Sequence, residues 1–282
     1  MSTDADFAGR SFHFIAIGGA GMSALALVCH RRGAAVTGSD RAESSYLERL
    51  RAAGRLVIPV TGRPAGWCDH IARMWPVDAV VGENGALYMH YDARRRTLVR
   101  RFVASDTERE AQRAKLAAIG AQILQSVPGS ALASDQHYRE TDLAIDYCED
   151  VPPLPRRDVD RIVALMQSAG MTAKVSSIHV NGWFGTYDKL AMTRTMMREL
   201  FDVDLDAARD SFAFAGDSPN DAPMFAYFPN AVGVANLRRF LDRVATPPAY
   251  ITTHEAGAGF GELVDFLLQT SGSKVSTSLP PA

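Results

Sequence analysis

Short apolar runs alternate with amphipathic segments at both ends of the chain. Near the start, apolar runs occupy residues 12–17, 35–38 and 56–60, and segments with helical spacing separate them. The same alternation returns at residue 187 and continues to about residue 270. Because strands that alternate with helices form parallel sheets, this order predicts a doubly wound α/β core.

The middle of the chain has a different pattern. A predicted hairpin comes first, then a long polar helix, and then two strands with a second helix between them. The predicted elements are a hairpin of 87–91 and 97–103, a helix over 106–125, strands over 143–147 and 173–180, and a helix over 157–168. We therefore predict a core of residues 11–85 and 187–270, with an α+β insert of residues 86–186 between its two parts.

The composition is that of an ordinary folded protein without a strong charge. Of the 282 residues, 47% are apolar and 22% are charged, and the formal net charge is −2, so neither nucleic acid nor an anionic membrane is an expected partner. Three distant cysteines fit a reducing cytoplasm better than a disulfide framework. No apolar run reaches the roughly 20 residues of a spanning helix, and the first ten residues do not resemble a signal peptide. Residues 271–282 are rich in Ser, Pro and Gly and predict a disordered tail, while no pattern indicates an oligomeric state.

The strongest chemical signal is the segment GDSPND, which follows an apolar run. Asp217 and Asp221 lie four residues apart, in a loop at the expected end of a strand. Carboxylate oxygens are ligands that Mg2+ prefers, and the ion keeps several waters. The spacing therefore predicts a Mg2+ site, in which Asn220 can hold the loop or bind a ligand. A turn rich in Asx and Pro residues is the structural alternative.

Two further segments carry groups that are suited to a phosphoryl group. Thr61, Gly62 and Arg63 follow another predicted strand, where a hydroxyl and consecutive backbone N–H groups can hold an anion. Lys189 opens the helix after the insert, where its ammonium group can neutralise a phosphoryl group and a carboxylate. Taken alone, each segment also has a structural explanation, as an ordinary turn or a solvated lysine.

Together these segments resemble the motifs of the haloacid dehalogenase superfamily of phosphatases, in particular its Cof-type branch. VTGRP resembles the second motif, YDKL the third and GDSPND the fourth, and GENGA resembles the segment at which this branch begins its cap. The resemblance covers about residues 44–270. It implies a Rossmann-like three-layer core with a parallel sheet, an α+β cap, and a small-molecule phosphate ester as substrate. It also implies that Thr61 and Lys189 bind phosphate and that Asp217 and Asp221 hold a Mg2+ cofactor.

The first motif of this family, DxD[GST][TV], is missing from the sequence. In the family, its first Asp attacks phosphorus and its second protonates the leaving group. The aspartates before Thr61 are Asp4, Asp6 and Asp40, and the first two precede any plausible strand. Asp40 is the remaining candidate nucleophile, but Ala42 stands where the second Asp of the motif would be. Because covalent catalysis requires the nucleophile, we expect strongly reduced turnover.

A glycine-rich turn near the start carries a second resemblance. Residues 11–54 resemble the first βαβ unit of the Mur ligases, of the UDP-N-acetylmuramate–alanine ligase type, in which this turn receives the diphosphate of the substrate. The matching residues of this chain are Gly18, Gly19, Gly21 and Ser23. A helix N-terminus after such a turn also suits the pyrophosphate of a dinucleotide, with Asp40 on a ribose hydroxyl. In that role Asp40 would not be a phosphatase nucleophile.

Several polar residues of the insert are candidates for contact with the rest of a substrate. Asp135, Arg139 and Glu140 carry side chains that suit sugar hydroxyls. A second group precedes Lys189, at the expected hinge between cap and core, and could line the substrate mouth or pack in the core. Its members are His179, Asn181 and Trp183.

The two resemblances lead to two hypotheses from different classes of protein. In the first, the chain is a Mg2+-dependent phosphomonoesterase scaffold for a sugar phosphate or a phosphoglycerate ester, impaired by the missing first motif. In the second, it is a catalytically silent module that binds a UDP-sugar or NAD(P) through residues 18–23. A fusion at about residues 41–50 would explain both resemblances. Ligation is not expected, because the ATP-binding loop and the later ligase domains have no counterpart in the sequence.

Overall fold

The structure is a computed structural model, and the chain in it forms two compact units, residues 1–55 and residues 56–282. The residues that the structure describes are 11–14, 35–38 and 41–270. Among them, no helix has the length and apolar character that crossing a membrane requires. The disordered tail predicted for residues 271–282 lies outside the described residues.

The first unit contains a pair of short parallel strands. Strand β1 (Ser11–Phe14) pairs with β2 (Ala35–Gly38), and Phe12 lies opposite Val36 in the register. Parallel neighbours need a long crossover between them, so this pairing agrees with the predicted order of elements. The last three residues of the apolar run predicted at 12–17 lie outside the described part of the chain.

A helix follows these strands, and its end is closed by local hydrogen bonds. Helix α1 (Arg41–Ala52) buries Leu50 and ends at Gly54, whose φ of +72° is a conformation that glycine adopts without strain. The Gly54 N–H donates to the carbonyl of Arg51 at 2.9 Å, and the Arg55 N–H donates to the carbonyl of Leu50 at 3.0 Å. These two bonds form a Schellman motif, which satisfies carbonyls at the helix end.

The second unit combines α/β elements with an α+β segment in the middle of the chain. Its strands and α-helices, in chain order, are α2 (Ala65–Met74), β3 (Val80–Gly82), β4 (Leu87–Asp92), β5 (Thr97–Phe102), α3 (Asp106–Ser126), β6 (Ala131–Leu132), β7 (Asp142–Asp146), α4 (Arg156–Ser168), β8 (Thr172–Val175), β9 (His179–Trp183), α5 (Lys189–Phe201), α6 (Leu205–Ala208), β10 (Ala213–Gly216), α7 (Ala222–Tyr227), β11 (Asn230–Gly233), β12 (Tyr250–Ile251) and α8 (Ala256–Thr270). This order confirms a mixed α/β fold.

The parallel part of the second unit is a sheet in the order β10-β11-β12. The run 56–60, predicted as a full strand, contributes only a parallel bridge between Val60 and Val81. Pro59 lies within this run and lacks the N–H that a ladder needs, which shortens the pairing. The bridge nevertheless places the following residue, Thr61, at the end of β3, where its N–H donates to the Val81 carbonyl at 2.9 Å.

The predicted hairpin is confirmed, and it pairs with β3. Strands β4 and β5 are antiparallel with Met89 opposite Arg100, and β4 is antiparallel to β3 with Tyr88 opposite Val81. The hairpin therefore continues the sheet of β3. The predicted domain boundary at residue 86 stays a prediction.

A four-stranded antiparallel sheet in the order β6-β7-β9-β8 packs with α3 and α4, and we call this layer, residues 106–183, the cap. Its core contains Ile123, Ile145 and Ile162, which are fully buried. The single strand predicted over 173–180 was wrong, because β8 and β9 are separate strands. The Ser176 hydroxyl accepts hydrogen bonds from backbone N–H groups just before β9, including that of His179 at 3.0 Å, and so stabilises a turn there.

The core of the second unit brings α5 close to β10. Met192, Met196 and Met197 of α5 are buried in one cluster with Phe214 of β10 and Met224 of α7. The methionine-rich segment of α5 therefore packs in the core. This packing places the start of α5 beside the GDSPND loop, which directly follows β10.

Candidate functional site

The turn after Val60 is held by bonds from its own side chain and from the next loop. The Thr61 hydroxyl accepts a hydrogen bond from the Arg63 N–H at 3.0 Å. The N–H groups of Glu83 and Asn84 donate to the carbonyls of Arg63 and Thr61, at 3.0 and 3.2 Å. The turn has a fixed shape, and its Thr61 hydroxyl and Gly62 lie only partly buried. Such a turn can present a hydroxyl and backbone N–H groups to an anion.

The predicted lysine and the second predicted metal ligand form a buried ion pair. Lys189 is the first residue of α5, and its Nζ lies 2.6 Å from Oδ1 of Asp221. Both residues are buried, at 7% and 4% exposure. The other Asp221 oxygen accepts the N–H groups of Asp217 and Ser218, at 3.1 and 3.3 Å. The structure thus joins the YDKL and GDSPND segments through Asp221.

Asp217 lies at the exposed side of the same loop. One of its carboxylate oxygens accepts a hydrogen bond from the Asn236 amide at 3.0 Å. Partial desolvation raises the pKa of Asp217 above its usual value, and the neighbouring Asp221 carboxylate raises it further by a smaller amount. Among the described residues, no three His, Cys, Asp or Glu side chains form a group that could hold a metal ion. Two neighbouring carboxylates do suit a Mg2+ ion that keeps several waters.

Asn220 and Asn84 connect the GDSPND loop with the Thr61 turn. The Asn220 side-chain amide lies 3.5 Å from the side-chain oxygen Oδ1 of Asn84, and the Asn220 side-chain oxygen accepts a hydrogen bond from the Ser218 hydroxyl. A Cβ atom on Gly62 would lie 2.8 Å from the same Asn84 oxygen, so glycine allows this close approach. Thr61, Asn220 and, through Asp221, Lys189 therefore belong to one cluster at the ends of β3 and β10.

Arg63 contacts the cap through its guanidinium group. It lies 3.3 Å from carboxylate oxygens of both Asp135 and Glu149, and it covers the ring of Trp67. Glu149 in turn lies 2.9 Å from Nε2 of the buried His179. The role of Arg63 in substrate binding stays a prediction, because in this structure the guanidinium is engaged with cap carboxylates.

Arg139 and Asp135, which we considered for sugar hydroxyls, are engaged with each other. Arg139 binds Asp142 at 2.9 Å and Asp135 at 3.1 Å, and it donates to the Gly62 carbonyl at 3.0 Å. Burial alone would lower the pKa of Arg139, but the Asp142 and Asp135 carboxylates more than offset it and raise this pKa. These side chains hold the cap against the Thr61 turn.

Sequence reasoning missed the segment that contacts most parts of this cluster, namely residues 83–85. Glu83 is fully buried, and burial followed by the nearby Asp142 raises its pKa to about 7. In the sequence, GENGA resembled only the segment at which a cap begins. The Asn-Gly pair was the available signal, because these residues favour left-handed backbone.

Five further candidate residues belong to the first unit. They lie outside the described residues, so their predicted roles stay predictions: Gly18, Gly19, Gly21, Ser23 and Asp40.

Solved structures with a similar fold include a phosphatase and a haloacid dehalogenase-like hydrolase. A protein of Thermoplasma acidophilum is 17% identical, with a TM-score of 0.57, over 80% of this chain and 89% of that one. The sucrose-phosphatase of Synechocystis, solved with sucrose and phosphate, is 16% identical, with a TM-score of 0.54, over 82% of this chain and 92% of that one. A haloacid dehalogenase-like hydrolase of B. subtilis is 11% identical, with a TM-score of 0.55, over 81% and 93%. The chain therefore has the fold of haloacid dehalogenase-like hydrolases, as the motifs predicted.

Sequence similarity points to a different family for the start of the chain. Residues 11–74 match the catalytic domain of the Mur ligase family. The UDP-N-acetylmuramate–L-alanine ligase of Crocosphaera subtropica is 52% identical over 54 residues, and that of Symbiobacterium thermophilum is 58% identical over 45 residues. These stretches cover 19% and 16% of this chain. The chain spans only 10% and 9% of those ligases. The Mur ligase resemblance of the N-terminal segment is thus confirmed.

Proposed function

We propose that the chain carries the scaffold of a Mg2+-dependent phosphomonoesterase whose turnover is strongly impaired. Its substrate class is a small-molecule phosphate ester, either a sugar phosphate or a phosphoglycerate ester. The observation that carries this proposal is the cluster in which Asp221 joins Lys189 to the GDSPND loop, while Asn84 and Asn220 connect that loop to Thr61. The fold likeness to phosphatases supports it.

Each residue of the cluster has a proposed task. Thr61, Gly62 and Asn220 bind phosphate oxygens, and Lys189 balances the phosphate charge. Asp217 and Asp221 would hold Mg2+, which supplies positive charge that stabilises a phosphoryl group during transfer. Asp221 also keeps Lys189 in place, so its carboxylate serves both cations.

The impairment follows from the missing first motif. Without a nucleophile, the remaining groups bind and orient the ester but cannot form the covalent intermediate. Loss of such a group commonly removes several orders of magnitude of rate. Asp40 is the one candidate before Thr61 that follows a described strand, β2.

Hydrolysis of p-nitrophenyl phosphate by the full chain tests this function. We expect Mg2+-dependent turnover several orders of magnitude below that of phosphatases with an intact first motif, and none in Asp217→Asn. Asp40→Asn shows whether the residual rate depends on Asp40. Turnover at the level of ordinary phosphatases would refute the impairment. Failure of Mg2+ and inorganic phosphate to raise the melting temperature would refute the scaffold.

A second candidate function rests on the Mur ligase match at residues 11–74. In this case the glycine-rich turn binds the diphosphate of a UDP-sugar or of NAD(P), with no catalysis. Calorimetric titration with UDP-N-acetylglucosamine, NAD and NADP tests it. An absence of heat at ligand concentrations near a millimolar would remove this candidate.

We also propose a cytoplasmic location, with neither a nucleic acid nor a membrane as partner. Cys68 and Cys148 carry free thiols, as expected in a reducing compartment. The near-neutral charge gives no general attraction to polyanions.

A further inference from the structure

Three consecutive residues after β3 have left-handed backbone. The φ angles are +43° at Glu83, +55° at Asn84 and +104° at Gly85. We call these three residues the left-handed turn. Residues other than glycine rarely adopt this backbone conformation, and it persists only where surrounding contacts impose it. The contacts of this turn therefore indicate what it does.

The backbone of the left-handed turn holds the proposed phosphate-binding turn. Glu83 donates its N–H to the Arg63 carbonyl at 3.0 Å, and Asn84 donates to the Thr61 carbonyl at 3.2 Å. The Asn84 side chain, 3% exposed, lies against Gly62. Any movement of the left-handed turn thus moves the groups that face a phosphate.

The same turn also contacts the two other segments of the site. A Cβ atom on Gly85 would lie 2.0 Å from the carbonyl oxygen of Asp188, so the backbone at Gly85 packs directly on the start of α5, which carries Lys189. The Asn84 side chain lies 3.5 Å from Asn220 in the GDSPND loop. One three-residue segment therefore contacts all three predicted motif segments.

The Glu83 carboxylate anchors this turn to both the core and the cap. One oxygen accepts the N–H of Ala65 at 2.8 Å and that of Glu140 at 2.9 Å. The other accepts the N–H of Thr141 at 2.7 Å and the Thr141 hydroxyl. Helix α2 begins at Ala65 without a side-chain cap of its own, so Glu83 satisfies one of its free N–H groups from a distant position.

We propose that the left-handed turn positions the Thr61 turn, Lys189 and the GDSPND loop relative to the cap, with Glu83 as its positioning residue. The proposal rests on the proposed phosphate site, because that site gives the positioning its purpose. Glu83 acts through the backbone that it fixes, and it does not touch the phosphate.

The experiment compares Glu83→Gln with Asp146→Asn in the full chain. Gln replaces one accepting oxygen with an amide that cannot accept, so one pair of donors to Glu83 loses its partner. Asp146 is an equally buried carboxylate, and it accepts three backbone N–H groups, those of Cys148, Glu149 and Asp150 at 2.8–2.9 Å. All three donors lie within the cap, so Asp146→Asn is a matched control in which the hydrogen bonds that are lost lie outside the core.

Two measurements are made, hydrogen exchange and phosphate affinity, at urea concentrations that give all variants the same fraction folded. In E83Q, we expect the backbone N–H groups of residues 83 and 84, which donate to the Thr61 turn, to exchange at least about tenfold faster than in D146N. We expect the affinity for inorganic phosphate with Mg2+ to fall at least about tenfold in E83Q and to stay at the wild-type value in D146N. Both results together support the proposal.

The outcomes separate the two proposals. If these amides exchange at the same rate in E83Q and D146N, the proposed role of Glu83 is overturned, whatever the phosphate affinity of the two variants is. Unchanged phosphate affinity in E83Q also overturns it, even though the phosphate site would then stand. If the wild-type protein does not bind phosphate but the exchange contrast is present, the proposed function fails and the structural coupling by Glu83 stands.

Discussion

The two units of this chain are related to known proteins in opposite ways. The start of the chain is 52% identical to a Mur ligase over 54 residues, but these residues are only 10% of that ligase. The three solved structures described above match 80–82% of the chain, at 17% identity or less. The region of high sequence identity thus covers only a small part of a ligase. The structural match has low sequence identity but covers most of the fold.

The sequence similarity and the structural similarity rest on different parts of the chain. The Mur ligase similarity is one of sequence, and residues 18–23 lie within the matched stretch. The chain shares its fold with solved structures that are 17% identical or less, and the proposed site of the second unit rests on Thr61, Lys189, Asp217 and Asp221. The candidate site of the second unit is therefore carried by few residues, and single substitutions test it.

Breaking the Lys189–Asp221 pair should have the largest effect on stability. Lys189→Met leaves the Asp221 carboxylate buried without a cation, so we expect a loss of about 3–5 kcal/mol in the free energy of unfolding. Urea unfolding measures it. The double variant Lys189→Met/Asp221→Asn should lose less, because no buried charge remains. A loss as small as that of Arg194→Met, which breaks an exposed pair with Asp206, would show that the site is solvated and weaken the contrast between the units.

The pH dependence of stability should depend on Glu83. Its pKa rises from 4.5 to about 7 on folding, so its stabilising contribution is complete below pH 4.5 and is lost as the pH rises through 7. We expect the unfolding free energy of the wild type, relative to E83Q, to fall by on the order of 3 kcal/mol across this range. Urea titrations at a series of pH values measure this difference. Parallel curves for the two proteins would contradict the prediction.

Removing Arg63 should have a smaller effect. Its side chain is 37% exposed and its partners Asp135 and Glu149 lie 3.3 Å away, so Arg63→Met should cost about 1 kcal/mol or less. The affinity for inorganic phosphate with Mg2+ sharpens the result. A fall in affinity would support the predicted contact between Arg63 and substrate, whereas an unchanged affinity would leave Arg63 as a link between core and cap.

The smallest effect on the second unit should come from the glycine-rich turn of the first. Gly21→Val adds bulk where a diphosphate would approach the backbone, so the heat of nucleotide binding should disappear. The phosphate-induced rise in melting temperature should stay within experimental error. If Gly21→Val abolishes phosphate binding as well, the two units do not carry separate sites, and the comparison fails.

The sequence was most informative where chemistry depends on residues close together in the chain. GDSPND and the start of α5 were identified because their motifs are local, and the hairpin of β4 and β5 because both strands flank one turn. The mistaken strand over 173–180 shows the limit of this approach. Apolar residues lie on both sides of Ser176, so the pattern predicts one strand. It does not reveal that the Ser176 hydroxyl accepts the N–H of His179 and so stabilises a turn.

Contacts between distant segments could not be predicted from the pattern. Arg63 and its partners are separated by 72 and 86 residues, and Glu83 and Thr141 by 58. A basic residue after a predicted phosphate turn is most simply assigned to the phosphate, and only the placement of the cap shows the competing carboxylates. The role of the left-handed turn depends on three such contacts at once.

The Schellman motif at Gly54 has a consequence for how such a chain can arise. Helix α1 is terminated by bonds between Leu50, Arg51, Gly54 and Arg55, all within the helix and the three residues that follow it. A helix that ends in this way carries its own stop signal, because the residues that directly follow it satisfy its last carbonyls. The hypothesised fusion at about residues 41–50 would therefore leave the bonds that end this helix intact, because those bonds join residues 50–55.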